Sequence, residues 1–338
     1  MSARGALATV VAHVRRGRLL RADDRVLLGL GGGVASAGML AALLMGREAG
    51  LPPCELAVAA VESDLDEEHD GAEVVAEVGR VARSFGLPFF AVRPARTRGA
   101  VHIEHELVAL ARDQGYGRVA LATTRDDELR RVLTGLGRGA GLAGLAGYSP
   151  RGPGGVVRPL LPLREVEAAA LARDLGVEPV QLGPRPGSRE LSLEATVLPR
   201  WRALEPGLDA SLLRVAKEAR AVRRMIRAEA AVRLAQARER EGRYRFVVTA
   251  VAPGAAPLWL EVSARLLDGV GPRAHPSRGT WERRLARLFR FPAGEVAAAR
   301  SAPTLVLPGI QADATLTDST WVVRVTHTLR GPTLRASG

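Results

Sequence analysis

A chain of 338 residues that is 47% hydrophobic and 25% charged has the make-up of a soluble globular protein of two to three domains, at roughly 100–200 residues each. Its single cysteine, Cys54, excludes a disulfide framework and any cysteine-ligated zinc or iron–sulfur centre, and no apolar run reaches the ~18–20 residues of a membrane span. The formal net charge of +12 is nearly all arginine, Lys217 being the only lysine, and such basicity suits a polyanionic partner such as RNA. With no long apolar h-region behind its first arginines, the protein is expected to be cytoplasmic.

A helical opening (Ala3 to Arg15) precedes a strand at Arg25–Leu30. The strand runs into Gly31-Gly32-Gly33, and a helix is expected from Ser36. Three glycines free the backbone to turn several N–H groups one way, at the positive end of a helix dipole. Such a loop serves either as a phosphate cradle or as a tight strand-to-helix turn. It lacks the lysine of a Walker loop and the spacing of a dinucleotide fingerprint.

A second strand (Glu55–Val61) leads through an acidic loop to a helix over Gly71–Phe85, and a third strand covers Pro88–Arg93. A helix at His102–Gln114, a strand at Arg118–Leu121 and a helix near Asp126–Leu136 follow. Short apolar strands alternating with helices predict an α/β fold, a doubly wound parallel sheet whose ligands bind at the carboxyl edge.

Residues 137–147 are dense in glycine, which marks a mobile loop or one that approaches a ligand closely. Val157-Arg158-Pro159-Leu160-Leu161 and a helix from Arg164 to Leu175 come next. From Leu191 to about Arg240 the pattern is helical, broken at Pro206-Gly207. Residues 200–245 hold 13 Lys/Arg against 6 Asp/Glu, which suits a solvated helical face or an RNA-binding one. Beyond residue 245 a strand (Arg245–Val251), helices at Leu258–Leu267 and Thr280–Leu288, and β segments near Thr304–Leu307, Ala314–Leu316 and Trp321–Val325 predict a small α+β unit. The expected division is a nucleotide-binding domain over 1–185, a helical region over 186–243 and a substrate domain over 244–330.

Taken together, these segments resemble the tRNA(Ile)-lysidine synthase family, PP-loop enzymes of the N-type ATP pyrophosphatase class. The anchors are Arg138-Gly139-Ala140-Gly141-Leu142-Ala143-Gly144-Leu145, Arg158-Pro159-Leu160-Leu161, the acidic pair Asp126-Asp127 and the order of elements. The resemblance implies ATP and Mg²⁺ as cofactors, and L-lysine and the AUA-decoding isoleucine tRNA as substrates. The wobble cytidine is adenylated with loss of pyrophosphate, and lysine then displaces AMP. It further implies that Gly31, Gly32, Gly33 and Ser36 hold the nucleotide and that Asp126, Asp127 and Arg158 serve catalysis. Asp127 would bind the metal, and Arg138, Gly139 and Gly141 would form a loop facing RNA.

The chain departs from the family where chemistry is done. The family loop Ser-Gly-Gly-x-Asp-Ser is here Gly31-Gly32-Gly33-Val34-Ala35-Ser36, which lacks the first hydroxyl and the carboxylate. The family's Asp-His-Gly-Leu-Arg becomes Glu62-Ser63-Asp64-Leu65-Asp66, in a stretch with six acidic residues between Glu62 and Asp70. That stretch suits a cation site at Asp64, Asp66 and Asp70 or an exposed helix entry. In the Gly-His-x-x-Asp-Asp-x-x-Glu-Thr element the histidine is Thr123 and Arg130 reverses the glutamate's charge, leaving Asp126 and Asp127 to bind Mg²⁺ or to cap a helix. The arginine-rich segment before Leu198-Pro199 has become Glu190-Leu191-Ser192-Leu193-Glu194.

Losing one charge stabiliser typically costs ~10²–10³ in rate, so four altered motifs predict the fold with weak or no ligation. The alternatives are an active ligase with substituted residues and a non-catalytic paralogue that binds nucleotide, RNA or a protein. tRNA thiolation conflicts with the single cysteine. His102, His105 and Glu106 form at most a weak metal face, with surface or packing roles as the alternative.

Overall fold

The computed structural model describes residues 2–62, 71–93, 100–180, 196–240, 243–248, 256–268, 304–307, 310–317 and 320–327. Two compact units divide the chain, Met1–Arg220 and Ala221–Gly338.

In the first unit, α1 (Ala3–Gly17) begins where the Ser2 hydroxyl accepts the Gly5 N–H and buries Ala6, Val10, Val11 and Val14 on one stripe. Five strands follow: β1 (Arg25–Gly29), β2 (Glu55–Val61), β3 (Phe89–Val92), β4 (Arg118–Leu121) and β5 (Val156–Val157). They form one parallel sheet in the order β3-β2-β1-β4-β5. Order reversal after β3 makes it doubly wound, with the switch point between β1 and β4.

Strand alternation sorts the core into two layers. Val26, Leu28 and Val58 join one cluster with α1, α2 (Val34–Gly46) and α7 (Glu165–Leu175). Leu27, Ala57 and Ala59 face the other way, onto Leu107, Ala111 and Tyr116 of the segment containing α4 (Ala100–Asp113). The helix α3 (Gly71–Ser84) adds Val75 and Val78 to the first layer. Within that layer α2 and α7 touch backbone to backbone, because a Cβ on Gly38 would lie 2.5 Å from the Ala168 carbonyl oxygen.

After β4 come α5 (Arg125–Gly137) and the five-residue α6 (Gly141–Leu145). The glycine-dense stretch therefore contains a helical turn, where the sequence predicts a mobile or ligand-approaching loop. Its glycines serve close packing as well: a Cβ on Gly135 would meet the Gly144 backbone at 2.8 Å. With α8 (Leu198–Leu204) and α9 (Leu208–Ala237), α5 builds a third core around Leu129, Val132, Leu133, Leu198, Leu208 and Leu212. Asp209 fastens this region, accepting from Arg164 Nη2 at 2.8 Å and from Arg202 Nε and Nη2 at 2.9 and 3.1 Å.

In the second unit β6 (Arg238–Arg240), β7 (Arg243–Val248), β8 (Thr304–Leu307), β9 (Ile310–Thr317) and β10 (Thr320–His327) form an antiparallel sheet in the order β6-β7-β10-β9-β8. The helix α10 (Ala256–Asp268) places Trp259 edge-on to Phe246 of β7 at 6.2 Å. β6 replaces the end of the predicted helix. The helix predicted at Thr280–Leu288 lies outside the described residues, as do the acidic residues 63–70 and the segment 190–194. Among the described residues no helix is long and apolar enough to cross a membrane.

Candidate functional site

The glycine loop leaves the carboxyl end of β1, the central strand, and enters α2. Gly32 has φ +79°, a left-handed conformation that a side chain resists, and its carbonyl accepts the Val180 N–H at 2.9 Å. A Cβ there would press to 3.0 Å on Val180 Cγ2 and Val74 Cγ1. Gly32 is thus held from behind, whereas a Cβ on exposed Gly31 would meet nothing within 4 Å. Ser36 is buried and its hydroxyl accepts the Gly31 N–H at 2.9 Å, so the surviving serine braces the loop. Gly33 caps α2 with no side-chain acceptor, which leaves the first-turn N–H groups and the helix dipole facing the open side. Beside the loop lies a small apolar cleft lined by Leu40, Val78, Val81, Val177 and Val180. Neither the cleft nor the Val180 brace was legible in the sequence.

Asp126 and Asp127 stand at the neighbouring strand end, in the first turn of α5. Asp127 Oδ2 accepts the Thr124 N–H and the Thr124 hydroxyl, both at 2.8 Å, and the Asp127 N–H donates back to that hydroxyl at 3.3 Å. Asp127 Oδ1 accepts Arg130 Nη1 at 2.6 Å. Asp126 Oδ2 accepts the Glu165 N–H at 2.8 Å and so caps α7. The two carboxylates thus serve two different helices. Among the described residues no group of three or more His, Cys, Asp or Glu side chains could hold a metal ion. Mg²⁺ usually takes one or two carboxylates with phosphate and water, and here both Asp127 oxygens and Asp126 Oδ2 are already engaged, so the pair as it stands fits the ion poorly.

Arg158 follows β5 and is buried, with Nη2 donating to Glu104 Oε2 at 2.8 Å, Nη1 donating to the Ser149 carbonyl at 3.2 Å and the guanidinium over the Tyr148 ring at 5.1 Å. Its Nε is buried with no hydrogen-bond partner among the described residues. Arg131 covers the same ring at 4.7 Å. His13 of α1 has Nε2 3.3 Å from the Arg158 carbonyl oxygen, and burial lowers its pKa below the usual 6.5. Arg138 ends α5, while Gly139 and Gly141 take φ +61° and +57° beside exposed space.

One feature of this edge escaped the sequence reading. Glu128, buried in α5, pairs with Arg220 of α9, which also donates to the Ala146 and Tyr148 carbonyls at 2.9 Å. Burial pushes the Glu128 carboxyl up and Arg220 opposes that shift. Arg220 thus ties α9 to α5 across 92 residues and to Ala146 of the glycine-dense stretch across 74, distances no local pattern reveals.

Comparison with known proteins places this geometry. The PP-loop domain family matches residues 7–179. A tRNA(Ile)-lysidine synthase of Salinispora tropica is 32% identical over 245 residues, covering 63% of this chain and 68% of that protein. The chain belongs to the tRNA(Ile)-lysidine synthase family of PP-loop proteins. The lysidine synthase of Leifsonia xyli is 32% identical over 208 residues, covering 58% of this chain and 60% of its own, and that of Porphyromonas gingivalis is 30% identical over 217 residues, covering 60% and 46%. The chain thus spans roughly half of these two relatives' own length. In fold it is similar to the U34-tRNA thiolase NcsA of Methanococcus maripaludis, with TM-score 0.52 and 19% identity over 64% of this chain and 77% of that one. The glycine loop follows β1 and Arg158 follows β5, so both lie at the carboxyl edge of the parallel sheet, where the strand–helix alternation had placed the loop.

Proposed function

We propose that this protein is a lysidine-synthase-like member of its family that binds ATP and the AUA-decoding isoleucine tRNA and has weak or no lysine ligation. Gly32, Gly33 and the first-turn N–H groups of α2 supply the backbone donors for phosphate, while the Gly31 N–H stays on the Ser36 hydroxyl, and Arg158 adds a guanidinium to the same edge. ATP would supply the adenylate that activates a cytidine carbonyl. The chain's own part is to fix the phosphates and turn the RNA base toward them. Residues 138–141 and 244–330 are assigned to the RNA.

The observation that carries the reading is the state of the acidic pair. Adenylation releases pyrophosphate, whose charge demands a counter-ion at the carboxyl edge. Asp126 and Asp127 are both engaged in helix caps, and Ala35 has no carboxylate to add. The test is AMP release from ATP with purified protein, L-lysine, Mg²⁺ and AUA-decoding tRNA(Ile) transcript, beside an active lysidine synthase. AMP release far below the control, with ATP and tRNA still bound, is expected. Release that requires both lysine and that tRNA, at the control's rate, would sink the proposal.

A further inference from the structure

We propose that Arg130 stands as a built-in cation on Asp127 and keeps divalent metal off this carboxylate, so that the edge beside the glycine loop carries its positive charge covalently. The inference concerns the cation and stands whether or not the chain ligates lysine.

An ionised Asp has two oxygens and about four lone-pair sites. Asp127 spends Oδ2 on two donors of Thr124 and directs Oδ1 at Arg130 Nη1, 2.6 Å away. The ion pair is partly shielded, with the Arg130 and Asp127 side chains 25% and 31% exposed. Arg130 lies one helical turn after Asp127 on α5, so the approach follows from the backbone and needs no distant element. A guanidinium does not deprotonate in proteins, and its charge cannot be chelated away.

A magnesium ion at this oxygen would displace that guanidinium or sit against its charge. A monocation with N–H donors serves a phosphate differently from a metal. It forms charge-assisted hydrogen bonds, tolerates loose geometry and activates no water.

The experiment is a Mn²⁺ titration of the full chain read by electron paramagnetic resonance, comparing four proteins: wild type, Arg130→Gln, Asp127→Asn and the double variant. Any cation held by the acidic run at Glu62–Asp70 is common to all four and cancels. The expected result is equal Mn²⁺ binding by wild type and Asp127→Asn, one extra equivalent in Arg130→Gln, and its loss in the double variant. Two results would overturn the inference. If Asp127→Asn binds one equivalent less than wild type, the carboxylate holds metal in spite of Arg130. If Arg130→Gln gains none, the guanidinium is not what excludes it. The Arg130→Gln variant leaves the Thr124–Asp127 cap untouched, so it reports even where Asp127→Asn folds poorly.

Discussion

Gly31 and Gly32 are adjacent and physically opposite. Gly32 is buried, has φ +79° and would drive a Cβ into Val74 and Val180, so Gly32→Val should destabilise the whole sheet edge by ~2 kcal/mol or more, seen as a lowered urea midpoint. Gly31 is exposed with empty space before it, so Gly31→Ala should leave the urea midpoint within ~1 kcal/mol of wild type. It should weaken ATP binding roughly tenfold, because the methyl group enters the space of the bound phosphate. Unchanged affinity in Gly31→Ala would mean that the loop is only a turn. His13 offers a pH test. Burial holds its folded pKa below 6.5, so the unfolded chain takes up a proton that the folded chain resists. The stability involved is present above about pH 6.5 and lost as pH falls through the lower folded value. The urea midpoint should therefore decline from about pH 7 to 5, and His13→Gln should flatten that decline. Identical profiles for the two proteins would refute this assignment.

At the scale of elements, Arg220 is the rivet between α9 and the glycine-dense stretch. Replacing it with Met leaves Glu128 buried without its partner and two carbonyls without their donor, a loss of about 3–5 kcal/mol in denaturant unfolding. The Arg220→Met/Glu128→Met double variant should recover part of that loss. A single-variant cost below ~1 kcal/mol would show the pair to be peripheral. What could be read beforehand follows the range of the signal. β2 and β4 lie at Glu55–Val61 and Arg118–Leu121 as predicted, because each is an apolar run bounded by polar residues. β6 was hidden, since Arg238-Glu239-Arg240 is exposed and charged and gains strand character by pairing with β7. Likewise α6 contradicts glycine's poor helix propensity and exists because Gly135 and Gly144 allow α5 and α6 to touch. In the site, the glycine loop was legible as a pattern. The engagements of Asp126 with α7 and of Gly32 with Val180 were not, as both join residues far apart in sequence.

For the whole molecule, the net charge of +12 makes electrostatics the term to test in RNA binding. If the proposed tRNA complex forms, its affinity should fall by about 10³ or more between roughly 50 and 200 mM salt, given six or more phosphate contacts. A salt-independent Kd from filter binding would exclude a charge-driven complex. The order β3-β2-β1-β4-β5 has one more effect, which concerns synthesis on the ribosome. The first strand to be made becomes the middle of the sheet, with one edge unpaired until β4 at Arg118–Leu121 is released. The loop that follows it waits longer still, for Val180 just past the end of the PP-loop domain. A nascent chain shorter than that carries the glycines without their brace, and non-local closure of this kind is slow. Phosphate binding should thus emerge late and abruptly in a series of stalled chains of growing length, which makes it a reporter of when this domain finishes folding.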